Sequence, residues 1–204
     1  FRKALAGFVG EVPSGWAYTL TTTRDADVSV ERFDPAKPNG SQWTLLKRNG
    51  RTPTGDESRQ YQSFKTAHVP GTVRANFARG DLDLSTVTLV QADQQRPVYR
   101  CRFREDLEDP LLNHLEVLFT LDVAGSYFAR YELRLTEPYS PVLSVKITAL
   151  SVTVDFSAPS DDRPALPAAS RSIFRGRVLF FKSTGEDLAI TYSDFARSGA
   201  NARR

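Results

Sequence analysis

The sequence has few of the residues that most often form covalent or metal-based sites. It contains one cysteine, Cys101, and two histidines, His68 and His114. A single cysteine excludes an intrachain disulfide, and neither histidine lies at a spacing that zinc sites use. A Gly-rich phosphate loop, a G-x-S-x-G nucleophile elbow and an H-E-x-x-H motif are also absent from the sequence. We therefore predict no metal site, no cofactor and no catalytic residue.

Long apolar runs and a strong charge of one sign are also lacking. No stretch reaches the roughly 18 to 20 uninterrupted apolar residues of a transmembrane helix, so we predict no membrane-spanning segment. Lys and Arg total 27, Asp and Glu total 24, and the net charge is +3. Nucleic-acid binders usually concentrate basic residues in a patch or tail, whereas here they are interleaved with acidic residues. We therefore predict no nucleic-acid partner.

The size and composition of the chain predict one folded domain. Its 204 residues are 40% hydrophobic and 25% charged, which suits a single core of ordinary size. We predict a single domain over residues 1–197 and a frayed basic tail over residues 198–204. The sequence contains no methionine and begins at Phe1. Removal of an export signal would explain this, as would trimming of the chain, and we expect the former.

The first 80 residues predict short helices and three strands. An apolar stripe at spacings of three and four predicts a short amphipathic helix at the start; it consists of Phe1, Ala4, Leu5 and Phe8. Alternation from Trp16 onward predicts a strand, and two more are predicted over 28–33 and 43–47. Residues 54–57 have the spacing of a capping box, which predicts a helix of about three turns. A further helical turn is predicted over 73–77.

The second half of the chain is dominated by strand patterns. Apolar and polar residues alternate over 115–123 and again over 127–135, which predicts a β-hairpin. Beyond it the apolar phase slips by one residue near Ala149, which predicts a β-bulge or a sharp bend. Residues 158–169 are rich in Pro, Asp and Ala and predict a loop. With about nine strands and two or three short helices, we predict an α+β fold with a strongly curved, mostly antiparallel sheet.

Aromatic residues are frequent at the strand positions that are predicted to face the core. The sequence contains 13 Phe, 7 Tyr and 2 Trp. Most of them belong to a core, but a curved antiparallel sheet can leave part of its concave face unfilled and hold an apolar ligand there. We predict that such a site is lined by Trp16, Tyr18, Trp43, Phe119, Leu121, Tyr131, Leu133 and Phe180.

Three arginines alternate with apolar residues along one predicted strand, so they belong to the face opposite its apolar face. Arg100, Arg102 and Arg104 alternate with apolar residues, and two interpretations stay open. They could bind a partner protein or an anionic head group, or they could form a solvated outer face balanced by acidic residues. Cys101 lies on the apolar phase of the same strand, so we predict that it is buried.

An acidic run, Glu105, Asp106, Glu108 and Asp109, follows this strand. It lacks the glycine and the alternating oxygen ligands of a calcium loop. Because Pro110 follows Asp109, we predict a helix N-cap at Asp109 instead. An enzyme that uses Cys101 or an acidic pair is a third, separate hypothesis, which a thiol-labelling measurement can address.

Several segments carry a resemblance to uncharacterised exported proteins of Gram-negative bacteria. These segments are 31–35 (ERFDP), 42–46 (QWTLL), 49–54 (NGRTPT), 166–167 (LP), 174–176 (FRG) and 192–195 (YSDF). The succession of strands over residues 15–195 also resembles the lipoprotein-carrier group of LolA and LolB. That resemblance implies a half-open antiparallel barrel plugged by short helices, an apolar cavity for acyl chains, and a periplasmic or otherwise exported location.

These observations lead to two main hypotheses. The first is a non-enzymatic periplasmic protein that binds an apolar ligand, a lipid or a lipoprotein acyl chain, in the concavity of its sheet. The alternative is an envelope protein–protein interaction module that uses the face bearing Arg100, Arg102 and Arg104.

Overall fold

The computed structural model describes residues 1–67, 77–179 and 182–198, and within them it contains eleven β-strands, two α-helices and two 3₁₀ turns. The helices are α1 (Arg2–Ala6) and α2 (Gly55–Ala67), and the 3₁₀ turns lie at Arg79–Asp81 and Pro110–His114. The strands are β1 (Trp16–Arg24), β2 (Asp27–Phe33), β3 (Trp43–Arg48), β4 (Leu82–Gln91), β5 (Val98–Phe103), β6 (Leu115–Asp122), β7 (Tyr127–Leu135), β8 (Tyr139–Val142), β9 (Val145–Phe156), β10 (Pro167–Val178) and β11 (Lys182–Arg197).

The chain divides into two compact units. Unit 1 comprises Phe1–Glu11 and Ala75–Asp187, and unit 2 comprises Val12–Arg74 and Leu188–Arg204. Strand β11 begins in unit 1 and ends in unit 2. The single domain over 1–197 stays a prediction.

The strands form a mostly antiparallel sheet. In unit 1 the order is β10-β9-β7-β6-β5-β4, with β8 also paired to β9, and in unit 2 the order is β3-β2-β1-β11. Among the described strands the order has two ends, β3 and β4, so the sheet is not closed. The predicted α+β fold with a curved, mostly antiparallel sheet is confirmed.

Two local predictions for unit 1 are confirmed. Strands β6 and β7 form an antiparallel hairpin in which Phe119 lies opposite Tyr131. In the β9–β10 ladder, Ala149 pairs with Arg175 and Ile147 with Gly176, so Thr148 is the extra residue of a β-bulge. From Leu150 to Phe156 every second side chain of β9 is buried. The extra residue shifts the alternation by one position, which places these apolar side chains on the face of the sheet that lies against the core.

In unit 2 the capping box at the start of α2 is confirmed. The Thr54 N–H donates to Oε2 of Glu57 at 2.8 Å, and the Glu57 N–H donates to Oγ1 of Thr54 at 3.3 Å. The guanidinium of Arg51 also binds the Glu57 carboxylate, with Nη2 2.6 Å from Oε1. This hydrogen bond to Arg51 is the largest cause that lowers the pKa of Glu57 to about 2. These contacts satisfy the first turn of the helix, which packs on β3.

Other predictions differ from the structure or fall outside it. Eleven strands are present among the described residues rather than nine, and the loop predicted over 158–169 is shorter, because β10 already begins at Pro167 opposite Phe156. Of the helical turn predicted over 73–77, residues 73–76 lie outside the described residues. The predicted tail lies outside them too, except Ser198, whose N–H donates to the Gly15 carbonyl. Within the described chain, no helix combines the length and apolar character that a membrane crossing requires.

Candidate ligand-binding site

Unit 1 has a continuous apolar face on β5, β6, β7 and β9. Residues that alternate along each strand meet directly across the sheet, so that Tyr99 lies opposite Phe119, which in turn lies opposite Tyr131. Phe119 and Tyr131 are both 0% exposed. Four of the predicted ligand-lining residues share this buried cluster: Phe119, Leu121, Tyr131 and Leu133. We call this surface the apolar face of unit 1.

The first eleven residues of the chain pack onto this face. We call Phe1–Glu11 the N-terminal segment; its apolar stripe forms the short helix α1 and the residues beside it. Within α1, Ala4 and Leu5 are 6% and 1% exposed and belong to the same buried cluster as Phe119. The predicted amphipathic helix is therefore present, and the face that it covers is the one predicted to hold a ligand.

Two phenylalanines attach the N-terminal segment to the sheet. The ring centroid of Phe1 lies 5.7 Å from that of Phe119 and 5.3 Å from that of Phe128. The Phe8 centroid lies 5.6 Å from each of the same two rings. These separations, with edge-on or tilted geometries, are typical of favourable aromatic pairs. The concave space that the sequence predicted to be unfilled therefore contains side chains of the chain itself.

Phe77 packs against the same buried cluster. Its ring centroid lies 5.5 Å from Phe103, 5.4 Å from Tyr131 and 6.2 Å from Phe8. Sequence reasoning did not assign Phe77 to the site, because it follows no strand alternation that would give its side chain a direction.

Residues 1–8 of the N-terminal segment are held mainly by side-chain packing. Helix α1 has five residues, and no side chain hydrogen-bonds to cap its first turn. Its backbone hydrogen bonds at Leu5 and Phe8 are accepted by Phe1 and Leu5, inside the segment itself. A helix of this length is not stable on its own in water. Its position therefore depends on the burial of Phe1, Leu5 and Phe8.

A small cleft opens beside this segment. It has a volume of about 260 Å³ and is lined by Phe1, Arg2, Leu84 and Val87. Pockets for drug-sized ligands usually span roughly 300 to 1,000 Å³. An apolar ligand too long for this cleft would have to displace part of the N-terminal segment in order to bind here.

Three of the other predicted aromatic residues lie in unit 2. The Tyr18 ring centroid lies 5.2 Å from that of Phe33 and 5.9 Å from that of Trp43, and Trp16 lies 6.4 Å from Phe195. Trp16 is buried, whereas Tyr18 and Trp43 are half-buried. The predicted set is thus divided between the two units, and Phe180 lies outside the described residues.

Unit 2 also contains a buried charged network that the sequence did not indicate. Glu31 on β2 is 8% exposed. Its Oε2 lies 2.8 Å from Nζ of Lys65 and accepts a hydrogen bond of 2.8 Å from the Tyr61 hydroxyl. Its Oε1 accepts from the Ser29 hydroxyl at 2.9 Å. Burial, followed by the neighbouring Glu31 carboxylate, raises the pKa of Tyr61.

The Lys65 ammonium also lies over the aromatic ring of Trp43. Its Nζ is 4.2 Å from the Trp43 ring centroid, a cation–π distance. Gln62 donates from its side chain to the Trp43 carbonyl at 2.7 Å. Helix α2 is therefore attached to β2 and β3 largely by polar contacts.

The arginine row of β5 faces a buried carboxylate. Glu116 is 6% exposed, lies opposite Arg102 in the β5–β6 register, and binds Nε of Arg134 at 2.6 Å. Nε of Arg100 lies 4.0 Å from the other oxygen of Glu116. Arg100 is therefore partly neutralised within unit 1.

The other two arginines of the row are more exposed. Arg104 forms an ion pair with Asp106, and this hydrogen bond raises the pKa of Arg104 and lowers that of Asp106. Among the described residues Arg102 has no ion pair. The pairing of Arg100 and Arg104 favours a charged outer face, while partner binding stays a prediction.

The acidic run after β5 has structural partners. The Asp109 carboxylate accepts from the Leu111 N–H at 3.0 Å and caps the 3₁₀ turn that begins at Pro110, which confirms the predicted N-cap. In the portion of the chain that the structure describes, no group of three or more His, Cys, Asp or Glu side chains is arranged to hold a metal ion.

Cys101 is 0% exposed, as predicted. Its Sγ donates to the Asp83 carbonyl at 3.4 Å and lies 3.9 Å from the Thr86 hydroxyl. Burial is the largest cause of the raised pKa of the thiol. Both features disfavour the thiolate, which is the reactive form.

We expect Cys101 to react with a thiol reagent only when unit 1 opens. The reaction of the folded protein with dithionitrobenzoate should be at least about a hundredfold slower than that of the urea-unfolded chain, because the reagent must wait for an opening event. The unfolded chain, which presents the same single thiol, is the internal control. Prompt reaction of the folded protein would revive the hypothesis of a reactive cysteine.

No protein-family model matches the chain, and no curated protein matches it. Among solved structures, the chain is similar to the crystal structure of a LolA superfamily protein from Nitrosomonas europaea, with 14% sequence identity and a TM-score of 0.39. The match covers 96% of this chain and 90% of that chain. An identity and a TM-score of this size do not establish a shared activity.

Proposed function

We propose that this chain is a non-enzymatic, exported protein that binds an apolar ligand, a lipid or lipoprotein acyl chain, on the apolar face of unit 1. The observation that carries the proposal is the way in which Phe1, Leu5 and Phe8 occupy this face, through apolar side-chain contacts. An acyl chain makes contacts of the same kind. It can therefore replace these side chains without leaving buried polar groups unpaired.

The magnitudes favour such an exchange. Burying one large apolar side chain contributes about 1.5–3 kcal/mol, so three of them contribute about 5–9 kcal/mol. An acyl chain with roughly 14 methylenes contributes about 11 kcal/mol when fully buried, at about 0.8 kcal/mol for each methylene. A long acyl chain therefore competes with the N-terminal segment, whereas a short one does not.

We expect the purified protein to take up dansyl-undecanoic acid, with a rise in dansyl fluorescence. Phe8→Ala should bind this probe about tenfold more tightly, because the competing segment loses about 1.4 kcal/mol of apolar burial. Phe64→Ala is the matched control, since Phe64 lies on α2 of unit 2 and is 57% exposed; its affinity should equal that of the wild type.

Two outcomes count against this proposal. The first is an absence of probe uptake by both the wild type and Phe8→Ala. The second is weaker binding by Phe8→Ala, which would mean that Phe8 packs against the ligand rather than competing with it. Native mass spectrometry of the protein as purified provides an independent measurement of a bound lipid.

The alternative is an envelope partner that docks on the arginine row. It draws support from Arg102, which is exposed and has no ion pair among the described residues. Arg102→Gln is the variant that isolates this surface, because it removes the charge and adds no carboxylate opposite Glu116. Charge reversal at Arg100 or Arg102 does not isolate it, because either change would place a second carboxylate near the buried Glu116 and destabilise the fold.

A further inference from the structure

The β8–β9 hairpin ends in exposed apolar side chains. Leu143 and Ser144 form the two-residue turn between the strands, and Leu143 is 92% exposed. Val142, the last residue of β8, is 56% exposed. Two-residue hairpin turns favour Gly, Asn and Asp. The turn geometry therefore does not explain a leucine at this position.

A third apolar side chain is held beside this turn. Leu179, which follows β10, is 54% exposed, and its N–H donates to the Ser144 carbonyl at 2.7 Å. Its φ of 54° lies in the left-handed region, which is costly for a bulky residue. We call Val142, Leu143 and Leu179 the apolar tip.

Two cations lie opposite each other next to the apolar tip. Lys146 on β9 pairs directly with Arg177 on β10, and both are exposed. Like charges directly across a sheet are destabilising. Within the ranges that the structure describes, neither has an ion-pair partner. In sequence, residues 139–147 and 176–184 contain three cations, Lys146, Arg177 and Lys182, and no Asp or Glu.

Exposed leucines and opposed cations both cost free energy in the folded protein. A bilayer interface makes both favourable, because apolar side chains enter the acyl boundary there and cations meet anionic headgroups. We propose that the apolar tip inserts into the surface of a bilayer that contains anionic phospholipids, with Lys146 and Arg177 against the headgroups. This inference does not rest on the proposed function, because none of these residues belongs to the apolar face of unit 1.

The charge pattern favours this occupant over an apolar protein groove. Each basic residue near an anionic membrane surface contributes about 1 kcal/mol, and this contribution decays within a Debye length. Binding through a few cations and a few apolar side chains is therefore reversible and sensitive to salt. A dry, purely apolar protein contact would not require the cations.

Sedimentation with large unilamellar vesicles tests the proposal. The wild type should bind vesicles of phosphatidylcholine mixed with phosphatidylglycerol, and bind them less at high ionic strength. Leu143→Asp should lower the partition coefficient by about tenfold or more, because a large apolar side chain no longer leaves water. The double variant Lys146→Gln, Arg177→Gln should lower it by a similar factor and weaken the salt dependence, because it removes both charges without adding repulsion.

Matched controls separate the apolar tip from general effects of charge. Leu89→Asp changes a leucine on β4 that is 52% exposed and should bind as the wild type does. Circular dichroism confirms that each variant is folded, and the dansyl-undecanoic acid measurement, made separately, reports on the apolar face. The proposal is overturned if the wild type stays in solution with anionic vesicles, or if Leu143→Asp and Leu89→Asp bind alike.

Discussion

Phe119→Ala is expected to lower the free energy of unfolding by about 3–5 kcal/mol, the range found when a fully buried phenylalanine is truncated. Phe119 is 0% exposed, and its ring centroid lies 4.6 Å from that of Phe128. It also contacts the rings of Phe1, Phe8 and Phe77. Truncation removes the buried ring and leaves a cavity. The rings around this cavity belong partly to the sheet and partly to the N-terminal segment, so they cannot move together to fill it.

Urea unfolding followed by circular dichroism measures this loss. Leu143→Ala is the control, because Leu143 is 92% exposed; it should change the free energy of unfolding by no more than about 0.5 kcal/mol. A loss below about 1 kcal/mol for Phe119→Ala would mean that the apolar face is not tightly packed in solution. The N-terminal segment would then not cover the apolar face, and an apolar ligand would not have to displace it.

The strands around Phe119 were predictable because their signal is local. The pairing of β6 with β7 skips Ala129 at a bulge that turns Phe128 to the core, which alternation does not predict. Elsewhere in these two strands the side chains alternate, and a period of two places every second residue on one face. The slip near Ala149 was predictable for the same reason, since a change of phase within one strand is visible in the sequence itself. Such predictions need no knowledge of what lies across the sheet.

The packing of the N-terminal segment was only half predictable. The spacing of Phe1, Leu5 and Phe8 predicts an apolar stripe on a helix. The surface that buries this stripe, however, depends on contacts with residues far away in the sequence, such as Phe77 and Phe119. The sequence therefore indicates that the stripe is buried, but not that it fills the concave face. For this reason the eight predicted ligand residues included the sheet side of the site and omitted the segment that covers it.

The position of Glu31 shows why alternation alone can mislead. Over β2, a simple pattern turns Val28 and Val30 inward and leaves Glu31 in water. In the structure Glu31 is more deeply buried than either valine, because α2 supplies a cation and a hydroxyl 30 or more residues later in the chain. A buried carboxylate is tolerable only with such partners, and their convergence is a property of the tertiary structure.

Glu31→Ala is the second substitution with a large expected effect. The Lys65 ammonium and the Tyr61 hydroxyl would lose the carboxylate oxygen that both contact at 2.8 Å. Because the Glu31 and Lys65 side chains are only 10% and 20% exposed, water replaces the lost partner poorly. Removing one member of a buried pair costs about 3–5 kcal/mol, and we expect a loss of about 3 kcal/mol here. Both tryptophans of the sequence, Trp16 and Trp43, lie in unit 2, so urea unfolding followed by tryptophan fluorescence reports this loss.

A triple variant separates the network from the space that it occupies. Glu31→Leu combined with Lys65→Met and Tyr61→Phe removes both charges and the Tyr61 hydroxyl while it keeps similar volumes. The Ser29 hydroxyl remains and is only partly buried, so that water can bind it. Replacing a buried ion pair by apolar residues of similar size is often neutral or stabilising, so this variant should recover most of the stability that Glu31→Ala loses. If Glu31→Ala instead costs less than about 1 kcal/mol, the value of an exposed pair, then polar contacts do not hold α2 on the sheet.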